Sequence, residues 1–227
     1  MRFLPCGLKT YPRRDALKLS NGKTEPVAVA PVLYVIHTNR APLFTSGEPD
    51  RGKGLEALAE DGPTGPLAES LKGQPGIVHV GSTDTPVGAL SPGDIGPGDA
   101  FELKVSAKPG ERLTIATMFV QSNDLFYAPR EEGIALFDAS GNPVAGDITS
   151  QIMLWDAGTE VNEEPGLGPN QAPLQPAPHT GPRETNQDSE ANLAVNPATK
   201  PQRRRAGGAA GRHWLALLRR CAGLLPR

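Results

Sequence analysis

Glycine and proline punctuate this chain more heavily than any other feature: 26 glycines and 24 prolines fall among 227 residues, so about one residue in five disfavours a helix interior. Long uninterrupted helices are excluded, and an all-helical bundle with them. What remains is a fold of short strands joined by many turns, with helices of one or two turns at most. The length suits one domain. Hydrophobic residues make up 37% and aromatics 5%, which predicts one modest core carrying long loops or an extended flank.

No apolar run approaches the ~18 to 20 residues of a membrane span. The N-terminal MRFLPCGLKTYPRRDALKL has charges but no apolar core, so no signal peptide is visible in it. Cys6 and Cys221 are the two cysteines, one near each end, which excludes a disulfide framework and a cysteine metal site. Residues 200–227 carry eight Lys or Arg and no acid, whereas 15 basic and 25 acidic residues precede them. The acidic body suits cations or basic partners and argues against a nucleic-acid surface.

Strand character concentrates between residues 27 and 182. Residues 27–37 are rich in β-branched and aromatic side chains, and Pro31 predicts an edge or bulged strand. Residues 100–107 alternate, with Phe101, Leu103 and Val105 on one face. The turn at Pro109 and Gly110 then predicts an antiparallel hairpin with residues 111–120. Shorter strands are expected at 134–137 and 151–155, and short helices at 54–60 and 66–71. The expected fold class is all-β, an antiparallel β-sandwich. Residues 1–26 read as an atypical leading segment without strand alternation, and 183–227 as a disordered basic tail with one possible short helix.

The segments VLYVIHTNRAPLFTSGEP, GLEALAEDG, DTPVGA, ATMFVQSNDLFYAP, GIALFD and LWDAGTEVNEEPGLGPNQAP, in that order, resemble the spondin domain, the N-terminal domain type of F-spondin and mindin that also occurs in standalone prokaryotic proteins. The resemblance covers residues 27–182. It implies an eight-stranded antiparallel β-sandwich, extracellular or periplasmic, that binds calcium and serves adhesion or matrix contact without catalysis. The implied partners are a calcium ion and an extracellular protein or glycan. In the animal pattern the ion is held by one aspartate in a Ser-Pro-Asp-Trp-like loop and two acids in a Trp-Asp-Ala-Gly-Thr-Asp-like loop. The matching positions here are Asp124 in Ser122-Asn123-Asp124-Leu125, and Asp156 and Glu160 in Trp155-Asp156-Ala157-Gly158-Thr159-Glu160. Glu160 stands where the animal pattern has Asp, so its longer arm must reach the same ion or bind through water.

Elementary chemistry is consistent with that assignment. Calcium takes ~6 to 8 oxygen ligands in flexible geometry, and three converging carboxylates without a cation repel one another. The bland alternative is that Asp156 caps its own turn and that Glu160, Glu163 and Glu164 form a solvated acidic loop. His37, His79, His179 and His213 show no ligand spacing and read as surface or packing residues. Gly-x-Ser-x-Gly, the P-loop and His-Glu-x-x-His are absent. Trp155 and Tyr127 read as core rather than sugar-stacking residues. Two other functions remain open, a carbohydrate-active enzyme using paired carboxylates and an incomplete gene product.

Two departures from the spondin pattern bear on the fold. The strand that usually precedes Val27 is expected to be missing, and so is the last strand after residue 182. Exposed sheet edges would follow. Residues 213–225 can form a short amphipathic helix, or are what GC-rich coding sequence yields when read out of frame. The out-of-frame reading is preferred, because an apolar stretch this short makes a marginal helix.

Overall fold

The computed structural model describes residues 2–8, 17–40, 42–185 and 193–195. Eleven strands are described: β1 Arg2–Leu8, β2 Leu17–Lys18, β3 Thr24–Glu25, β4 Val32–His37, β5 Ile77–Thr83, β6 Phe101–Ala107, β7 Arg112–Met118, β8 Leu125–Pro129, β9 Ile134–Ala135, β10 Ile152–Asp156 and β11 Leu193–Val195. Two short helices, α1 Leu55–Asp61 and α2 Gly65–Leu71, lie between β4 and β5. The chain is all-β, and its strand pairs are antiparallel.

The main sheet has the order β11-β10-β8-β7-β4-β5, with β9 also on β7; β1 pairs with β6 and β2 with β3 in two smaller sheets. Both faces of the main sheet are covered. Val32, Ile36, Leu113, Ile115, Tyr127 and Leu154 share one core with Phe101, Leu103 and Val105 of β6. Leu33, Val35, Ala116, Phe126, Ala128 and Trp155 pack on the other side with Leu55, Leu58, Leu67 and Leu71 of the two helices and with Phe44. Central strands buried on both faces read as continuous apolar runs, which is why β7 and β8 are buried along nearly their whole length. In contrast β6 alternates, with Glu102 and Lys104 exposed between buried neighbours.

Several expectations from the sequence need correction. Residues 100–107 and 111–120 do not form a hairpin: β6 pairs with β1, whereas β7 pairs with β4, β8 and β9. The turn at Pro109-Gly110 therefore carries the chain from one sheet to another. Pro31 does not demote its strand to an edge. It lies just before β4, which runs between β5 and β7, and the irregularity in β4 falls at Ile36/His37. The leading segment does contain a strand, β1, whose Pro5 is opposite Lys104. An edge position tolerates the missing amide proton. After residue 182 the chain again supplies a strand, β11, on the open side of β10. The proposed helix at 213–225, Cys221 and His213 lie outside the described residues.

Candidate functional site

The site is built by three strands of the main sheet. β7 and β10 each run antiparallel to β8 and lie on opposite sides of it, so they point the same way and their exit loops meet at one end. Asp156 ends β10 opposite Leu125, the first residue of β8, and the Ala157 amide donates to the Asp124 carbonyl at 3.1 Å. Thus the register places Asp124 and Asp156 on neighbouring strand ends, although about thirty residues separate them in sequence.

The two loops are fastened by their own polar side chains. The Ser122 hydroxyl donates to the Phe119 carbonyl at 2.6 Å and accepts the Leu125 amide at 3.1 Å, which closes the turn between β7 and β8. Asn123 bridges to the second loop, donating to the Val161 carbonyl at 3.2 Å and accepting the Glu163 amide at 3.3 Å. Asp156 Oδ1 accepts the Gly158 amide at 2.7 Å, and Gly158 takes the left-handed φ of 68° that turns the chain back. That turn brings the Thr159 and Glu160 amides onto Asp124 Oδ2 at 3.0 and 3.2 Å.

Asp124 and Asp156 are fully buried and Glu160 is 4% exposed. Asp124 Oδ1 and Glu160 Oε2 are buried atoms that receive no hydrogen bond. Burial, and then the Asp156 charge, push the Asp124 carboxyl well above the ordinary aspartate range despite its two amide donors; the Glu160 charge adds to the rise. Burial and the Glu60 charge push Glu160 up to about 7. The Glu160 carboxylate lies so close to Gly181 that any Cβ there would overlap it.

Glu60 is the residue that the sequence did not signal. It sits near the end of α1, 4% exposed, beside the buried Leu58 and Ala59. Together with Asp61 and His179 it forms a second group, in which one ligand atom from each residue lies within 4.8 Å of the others. Among the described residues this is the group that meets that spacing, whereas Asp124, Asp156 and Glu160 do not close to it as a trio. A carboxylate among the apolar positions of a short helix is the clue available in the sequence, and it is a weak one. Glu163 and Glu164 hold the loop in place: Glu163 Oε2 accepts the Asn170 amide at 3.1 Å within it, and Glu164 Oε1 accepts the Ser20 amide at 2.5 Å, which ties it to the turn between β2 and β3.

The remaining candidates resolve simply. Trp155 and Tyr127 are core residues, and the Trp155 indole donates to the Ala128 carbonyl at 3.1 Å. His37 is fully buried, with Nε2 at 2.8 Å from Thr114 Oγ1 and Nδ1 at 2.7 Å from the Asn39 carbonyl. Among the described residues, no helix is long and apolar enough to cross a membrane. No protein-family model matches the chain, and no curated protein matches it.

Proposed function

We propose that the chain is a calcium-stabilised, non-catalytic binding module of the spondin type, belonging to an exported protein and engaged in adhesion or matrix contact. The observation that carries the metal reading is Asp124. It is a fully buried carboxylate with one oxygen fixed by two backbone amides and the other without a donor, set among the charges of Asp156 and Glu160. An all-oxygen donor set of this kind suits a hard cation. Asp124 and Asp156 would hold the ion directly, with Glu160 reaching it or acting through water. The spondin identity and the adhesive role rest on the ordered sequence segments, and a partner would be an extracellular protein or glycan.

An ion held between strand ends distant in sequence favours the folded chain. Binding adds roughly 2.7 kcal/mol when free calcium stands a hundredfold above its dissociation constant. Thermal melts in chelator, calcium and magnesium test this reading. Calcium should raise the melting temperature well beyond magnesium, which demands tighter octahedral geometry, and Asp124→Asn should abolish the response. Indifference of the wild-type melting temperature to calcium and chelator would refute the site.

A further inference from the structure

We propose that Glu60, Asp61 and His179 form a second cation site, separate from the Asp124 centre, that takes a borderline divalent transition metal, zinc being the type. The argument starts from a shortage of protons. His179 Nδ1 lies 3.1 Å from Glu60 Oε2 and 3.2 Å from Asp61 Oδ2, so one ring nitrogen faces two carboxylates. A ring N–H donates a single proton. The hydrogen bond goes to Glu60, and Asp61 Oδ2 is left as a buried oxygen that receives none. The side chain of Asp61 is 9% exposed and that of Glu60 4%. Asp61 is also held in place, since its Oδ1 accepts Gln175 Nε2 at 2.6 Å. A cation in place of the proton serves both carboxylates and the imidazole together.

Spacing and donor type narrow the cation. Metal–ligand distances of about 2.0–2.2 Å put adjacent ligand atoms about 3.0–3.5 Å apart, which is the spacing His179 already has to both acids. An imidazole nitrogen with two carboxylates suits zinc and its neighbours, whereas calcium takes oxygen donors. Access is open as well: Asp61 and His179 line a cleft with Pro63, Asp94 and Pro178, and the His179 side chain is 56% exposed. Water can complete the coordination from that side.

The test uses the full chain carrying Cys6→Ser and Cys221→Ser, so that thiols do not compete, and reads zinc binding by calorimetry and cobalt(II) binding by its visible absorption. A single equivalent should bind, and Asp124→Asn should leave it intact, which separates this site from the calcium reading. His179→Asn, chosen because Asn accepts the left-handed backbone of His179 (φ 56°), and Asp61→Asn should each weaken binding about tenfold or more. Circular dichroism identifies variants that remain folded. Absence of saturable zinc binding, or affinity in folded His179→Asn within about threefold of the parent, would overturn the assignment.

Discussion

Replacing Glu160 by Gln isolates the electrostatic cost of the acidic cluster. The amide keeps the volume and an acceptor oxygen but removes a charge that burial and Glu60 oppose. The Glu160 carboxyl titrates near 4.5 when unperturbed and at about 7 in the fold. Because the folded value is the higher one, protonation favours the folded state; stability is greatest below about pH 4.5, falls as pH rises to about 7 and is level above that. A rise of that size corresponds to about 2–3 kcal/mol once screening is allowed for. In chelator at about pH 8, Glu160→Gln should therefore melt about 4–12 °C above wild type, taking about 2–4 °C per kcal/mol for a domain of this size. The difference should vanish below about pH 4.5, where the Glu160 carboxyl is neutral in both the folded and the unfolded chain. Saturating calcium should shrink or reverse it, since a neutral amide is a poorer ligand. Melts over that pH range with and without calcium decide the matter. A variant that is folded yet no more stable than wild type in chelator at about pH 8 would refute the reasoning.

Three further substitutions probe the frame around the site. Phe44→Ala removes a ring packed 4.7 Å from Trp155 and 5.4 Å from Phe126, and should cost about 3–5 kcal/mol in urea unfolding. Burial lowers the affinity of His37 for a proton, so this residue favours the folded state less as pH falls below about 6.5; Thr114→Val, which strips its Nε2 partner, should cost about 1–3 kcal/mol by the same assay at neutral pH. Gly181→Ala drives a methyl into the Glu160 carboxylate; the Ala variant should lose stability in chelator melts, and the loss should be smaller in a Glu160→Ala background, a double-mutant cycle that reads the contact directly.

The legible and illegible parts of the fold divide along one physical line. Alternation at 101–107 identified β6 because one of its faces is exposed, and the apolar periodicity of 54–60 and 66–71 located α1 and α2 to within a residue. Pairing was not legible. A tight turn at Pro109-Gly110 joins β6 and β7 whether they lie side by side or in different sheets, and local sequence does not encode which. The structure separates them by burial: β7 is buried continuously from Leu113 to Met118 despite Thr114 and Thr117, whereas β6 alternates. Strand β5 escaped notice for the opposite reason: it is an edge strand with Val78 51% exposed, and it carries His79 and Gly81 where an apolar pattern would be sought. Proline misled at Pro31, which lies just ahead of β4, and β1 was hidden because residues 2–8 lack the alternation that marks a half-buried strand.

For the site, sequence located the loops and missed the field between them. Asp124 and Asp156 converge because β7 and β10 flank β8 in the same direction, an arrangement that register alone could supply. Glu60 enters from a helix over sixty residues earlier in the chain and still dominates the charge felt by Glu160. The acids consequently form a continuous series, Asp156 acting on Asp124, Glu160 adding to that, and Glu60 acting on Glu160. His179 lies against the far end of the series, at Glu60 and Asp61. Such a series is self-repelling in a low-dielectric interior. Its packing fixes Asp124, Asp156, Asn123 and Glu163 through five backbone amides, with Asn123 donating in turn to Val161, and leaves bare oxygens on Asp61, Asp124 and Glu160; the cations proposed above would satisfy both those charges and those lone pairs.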